Sequence, residues 1–158
     1  MTFAARCLIL ACGNTLREDD GVGPLLASWA EVQWRDDPRV RVICDHQWTP
    51  DMAEEVAAAE AVIFVDCSLD QAPGEMMLRE LSSAPLKPGL VTHHLGAAEL
   101  LRVAEDLYGR QPRRACLLTI GAGTIELGEG LSEALRDALP DAKSLLDRTV
   151  RQILTHSI

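Results

Sequence analysis

The run Ala61-Val62-Ile63-Phe64-Val65, ending on Asp66, restricts the fold more than any other segment of this chain. β-Branched and aromatic residues favour a pleated backbone. With no polar residue between them, such a strand has no face to offer water, so both of its faces must be covered. Residues 7–12 (CLILAC) and 115–120 (ACLLTI) read the same way, and 39–44 (RVRVIC) alternate before turning apolar. Residues 75–81 (EMMLREL) read as an outer strand. Between these runs lie stretches with apolar residues at helical spacing. They are 21–34 (Val22, Leu25, Leu26, Trp29, Val32), the Ala- and Glu-rich 51–60, 95–108 (Leu95, Ala98, Leu101 and Leu107 toward the core) and 131–154, kinked or broken near Pro140. Strand alternating with helix predicts an α/β fold: a three-layer α/β/α arrangement around a mostly parallel five-stranded sheet. A chain of 158 residues without an interdomain linker fits one domain, 1–158, large enough to bury its own core.

The balance of charge limits the partners. A net charge of −9 would be repelled by nucleic acid and by anionic membrane surfaces. No apolar stretch approaches the roughly 18 residues of a membrane span, and the start of the chain reads as a first strand rather than a signal peptide. The cysteines, Cys7, Cys12, Cys44, Cys67 and Cys116, lie in or beside apolar strands and form no C-x-x-C pair. Buried free thiols in a reducing compartment, the cytoplasm, are expected.

Open parallel sheets bind ligands at the carboxyl ends of their strands. Three polar clusters fall there: residues 13–23 (GNTLREDDGVG), Asp66-Cys67-Ser68, and residues 92–96 (THHLG). The first cluster follows a strand but has neither the Lys of a phosphate loop nor the G-x-G-x-x-G spacing of a dinucleotide fold. Its three consecutive acids would repel phosphate. Asp20 and Asp66 are the candidate functional acids, with an imidazole from His93 or His94; together such groups can hold a transition metal or activate water. Asp19 reads as an N-cap for the helix over 21–34, and Thr92 as a cap for the next. Asn14 is expected to hold its loop through side-chain-to-backbone hydrogen bonds, and Gly13, Gly21 and Gly23 to be backbone necessities. Glu18 reads as solvated, Cys12 and Cys67 as structural thiols although thiolate suits nickel, and His46 and Trp48 as possible lining of a groove. No G-x-S-x-G elbow is present, and a Ser or Cys triad is not expected.

At these residues the chain resembles the hydrogenase maturation proteases. Their opening G-N-x-L-x-x-D-[DE]-x-x-G is matched by Gly13, Asn14, Leu16, Asp19, Asp20 and Gly23; their aspartate after the third core strand by Asp66; and their histidine before L-G by His93, Leu95 and Gly96. The turn Pro73-Gly74 is similar too. The resemblance implies a twisted sheet between helices and an endopeptidase that removes the C-terminal extension of a nickel–iron hydrogenase large-subunit precursor. It implies that Asp20, Asp66 and His93 are the catalytic, nickel-contacting trio, that the nickel is carried by the precursor, and that no organic cofactor is needed. A monomer acting on a large partner fits. Two departures mark a divergent subgroup. Residues 45–51 (DHQWTPD) stand where the family often has D-G-G-T, and Gly121-Ala122-Gly123-Thr124 lacks an expected proline. The rival reading is a non-catalytic metal-sensing or chaperone-like binding module on the same fold.

Overall fold

The apolar run that opens the chain becomes strand β1 (Cys7–Cys12), every residue of it buried. The clearest run becomes β3 (Ala61–Ser68), and the last becomes β5 (Arg114–Gly121). With β2 (Val40–Asp45) and β4 (Met76–Glu80) they form one five-stranded sheet in the order β2-β1-β3-β5-β4. β4 runs antiparallel to β5 and the other pairings are parallel. The computed structural model describes residues 4–85 and 95–156.

The sheet separates two cores, and strand alternation assigns residues to them. Ile9, Ala11, Ile63, Val65, Leu118 and Ile120 face one layer, made of α1 (Val22–Gln33) and α4 (Glu133–Thr155). Leu8, Leu10, Val62 and Phe64 face the other, made of α2 (Ala53–Ala58) and α3 (Ala97–Tyr108). This is the three-layer arrangement expected from the sequence. Among the described residues no helix is long and apolar enough to cross a membrane.

Four expectations need correction. Val32 is 63 % exposed and Leu107 is 65 % exposed. In α1 the buried stripe runs through Val22, Leu26, Ala27 and Ala30 and stops short of the helix end. In α3 it runs through Ala97, Leu100, Leu101 and Ala104, and the turn Glu105–Tyr108 has left the core. Cys44 is exposed rather than buried, because β2 is an edge strand, covered by a neighbour on one side only. Finally, α4 passes through Pro140 without a break. An interior proline costs about 3 kcal/mol. Burying Leu135, Leu146, Val150, Ile153 and Leu154 on the same helix offsets this, at roughly 1.5–3 kcal/mol per side chain.

Candidate functional site

The parallel register brings the ends of β1, β2 and β3 to one rim. Cys12 stands opposite Asp45, and Ala11 opposite Val65, one residue before Asp66. Asp20 is carried to that rim by the loop after β1, which closes in a short 3-10 turn, Glu18–Gly21, leading into α1. Two glycines make the closure possible. A Cβ on Gly13 would lie 2.0 Å from the Asp20 carbonyl oxygen, at a φ of +152°. One on Gly23 would lie 2.2 Å from the Cys12 carbonyl oxygen. Asn14 tightens the loop as expected, its side-chain Oδ1 accepting the Leu16 N–H at 2.9 Å.

Asp20 and Asp66, remote in sequence, converge. One carboxylate oxygen from each, together with Cys67 Sγ, lies within 4.8 Å of the others. Asp20 is held at both oxygens: Oδ2 accepts the Asn14 N–H at 2.7 Å, and Oδ1 accepts the Cys67 thiol at 3.2 Å. Asp66 Oδ1 accepts the Cys67 N–H at 2.8 Å, and the Cys12 thiol also donates to this carboxyl. Burial pushes Asp66 up to about 6, and the nearby Asp20 charge adds to the shift, against the hydrogen bonds from Cys67 and Cys12. Burial and the two carboxylates likewise hold both thiols protonated well above their ordinary range.

Asp20 and Asp66 open onto a cleft of about 350 Å³ lined also by Cys12, His46, Gln47, Trp48 and Leu95. His46 and Trp48 therefore do line a groove at the acids. Trp48 is 5 % exposed, packs edge-on against Phe64 at 5.1 Å, and its indole N–H meets no acceptor among the described residues. A second cleft of similar volume lies on the other side of the loop, lined by Thr15, Glu18, Pro24, Leu25 and Leu131. Glu18 is its only ionisable lining group, so the chemistry belongs to the first. Thr92, His93 and His94 lie outside the described residues; α3 itself begins after Gly96.

Asp19 is structural, but it does not cap α1, whose N-cap is Gly21 without a side-chain bond. Fully buried, its carboxylate accepts the N–H groups of Gly123, Thr124 and Ser132 at 2.7, 3.1 and 2.6 Å and the Ser132 hydroxyl at 2.8 Å. It thus ties the Asp20 loop to the loop after β5 and to the start of α4. Burial would raise this carboxyl, but the four hydrogen bonds outweigh it and hold it below the usual range. Capping preference sees only near neighbours, and no local signal marks partners more than a hundred residues away.

No family model matches the chain, and no curated protein sequence does. Solved structures do match. The hydrogenase maturating endopeptidase HybD from E. coli superposes with a TM-score of 0.74 at 20 % identity, covering 93 % of each chain. The [NiFe] hydrogenase maturation protease HycI from Thermococcus kodakarensis KOD1 gives 0.68 at 22 % identity, over 96 % of this chain and 94 % of its own. A hydrogenase 2 maturation peptidase from a Thaumarchaeota archaeon gives 0.67 at 25 % identity, over 92 % and 97 %. The chain therefore has the fold of these proteins over more than nine-tenths of its length.

Proposed function

We propose that this chain is a processing endopeptidase that removes the C-terminal extension of a nickel-containing hydrogenase large-subunit precursor. The observation that carries the reading is the convergence of Asp20 and Asp66 beside an open cleft, on a fold shared with maturation proteases over more than nine-tenths of the chain. In this reading Asp20, Asp66 and His93 contact nickel that arrives with the precursor, so the metal belongs to the substrate. Two carboxylates suit it chemically: hard oxygen donors on a rigid strand end accept a divalent ion, and an imidazole completes a common transition-metal donor set. A metal near the scissile bond polarises its carbonyl.

The residues of this chain supply the rest. Asp66, at the strand end beside the cleft, can accept a proton from the attacking water and return it to the departing amine. Asp20, fixed at both oxygens, holds its position without reorganising. The cleft receives the tail, with Trp48 forming part of its wall. The precursor is the only partner this chemistry calls for, the protein works as a monomer, and its free thiols fit the cytoplasm.

Incubation with nickel-loaded and nickel-free precursor tests the reading. The expected result is a C-terminal peptide released only from the loaded form, and lost with His93→Ala. Binding of the precursor without any cleavage would instead favour the metal-sensing or chaperone-like module.

A further inference from the structure

We propose that the precursor's C-terminal extension lies extended in a groove running from the acid pair, over the Gly13–Thr15 turn, into an apolar pocket that selects one of its aliphatic side chains. The inference rests on the reading above that this chain cuts such an extension, and adds the surface that holds it.

The hollows on this side of the molecule share walls in series. The cleft at Asp20 and Asp66 meets a smaller pocket of about 220 Å³ at Gly13 and His46, which line both. That pocket meets the second cleft, of about 350 Å³, at Thr15 and Pro24, which again line both. The acids and the far cleft are therefore the ends of one continuous depression. Its course fits a single extended peptide, whose alternate side chains point to the same face. The folded body of a precursor cannot follow such a path. The body brings the metal to the acids, and the extension is the part free to run on.

The far end is built to receive an aliphatic side chain. Pro24, Leu25 and Leu131 give it apolar walls. Leu25 stands beside the buried stripe of α1 and lines this pocket, only partly covered. The adjoining loops are tied together: the Glu18 N–H donates to the Gly128 carbonyl and the Gly128 N–H to the Leu16 carbonyl, both at 2.9 Å. On these loops Leu16 and Leu127 are 56 % and 76 % exposed. Large aliphatic side chains left in water beside an apolar pocket mark a contact surface. Charge narrows the occupant further. Asp66, Asp20, Asp45 and Glu18 are spread along the groove, and no Lys or Arg among the described residues lines it. An extension that carries Lys or Arg around its aliphatic residue is drawn in, and an acidic one is repelled.

Fluorescence anisotropy with a labelled synthetic peptide of the extension's sequence, and cleavage kinetics on the nickel-loaded precursor, test this on the full chain. Ser28→Trp places a ring in the pocket from an exposed helical position, and Leu25→Gln removes an apolar wall. Both variants are expected to bind the peptide about tenfold more weakly and to raise KM about tenfold, with kcat within about twofold of wild type. Val32→Trp, on the same helix but outside the groove, should match wild type. Replacing the peptide's aliphatic residues by Ser in turn should weaken binding to wild type at one position, and should weaken Ser28→Trp no further there. Unchanged peptide affinity and KM in both pocket variants would overturn the proposal. So would a wild-type dimer that Ser28→Trp splits, which would assign the groove to a second copy of the chain. Peptide bound in the groove without cleavage of the precursor leaves the groove standing and removes the proteolytic reading; cleavage with both variants unimpaired does the reverse.

Discussion

Asp66→Asn should make the protein more stable while abolishing its activity. The wild-type carboxyl is raised from 3.8 to about 6, chiefly by burial. A raised folded-state value means the folded chain holds its proton more tightly than the unfolded one. The corresponding stability is fully present below about pH 3.8 and is lost as pH rises through about 6. At 1.36 kcal/mol per unit, the ionised form then costs the fold about 3 kcal/mol at pH 8. Asn removes that cost and keeps an oxygen for the Cys67 N–H, but it forfeits the acceptor for the Cys12 thiol, worth about 1 kcal/mol. The net gain is about 2 kcal/mol at pH 8, shrinking toward zero and then turning slightly unfavourable near pH 4. Urea unfolding of both proteins across that range measures it as a change in midpoint at constant slope. A variant less stable than wild type at pH 8, or a difference that does not vary with pH, would refute the burial argument. A site that lowers stability for its chemistry is a common trade in enzymes.

Asp19→Asn should behave oppositely, losing about 2–4 kcal/mol at pH 7 because an amide cannot accept from all four donors. Wild type should also weaken as pH falls through the depressed Asp19 value, and the variant should not share that acid sensitivity; thermal melts at several pH values read both. Gly13→Ala should cost at least about 3 kcal/mol, since the new methyl meets the Asp20 backbone; unfolding free energy is the check. Trp48→Phe keeps an aromatic ring near Phe64 but removes the N–H together with the second indole ring, so stability should fall by about 1–3 kcal/mol for the buried volume lost, while kcat/KM for precursor falls about tenfold as the cleft wall recedes.

Much of this architecture is legible in the sequence, for physical reasons. β1 and residues Ala61–Val65 of β3 are buried on both faces and apolar without interruption, and Ala115–Ile120 of β5 is broken only by Thr119, which leaves one interpretation. The site acids are legible because topology alone sends strand ends to one rim: Asp66 terminates an apolar run, and Asp20 follows the first strand by a glycine turn. The details that fail are set at long range. Which residues of α1 and α3 face the core depends on where each helix leaves the sheet, and Val32 and Leu107 lie beyond that point. Asp19 is recruited by Gly123, Thr124 and Ser132, which no local rule connects to it. The approach of the Cys67 thiol to Asp20 depends on the loop fold around Gly13 and Gly23, so its sequence reading as a structural thiol missed that contact.

Mass spectrometry of a nickel-loaded large-subunit precursor, incubated with wild type, Asp20→Asn or Asp66→Asn, tests the central claim most directly. Wild type should release a single C-terminal peptide, and both folded variants should release at least about a hundredfold less in the same time. Cutting by either variant at the wild-type rate would contradict the account, because the paired carboxylates would then have no part in the reaction.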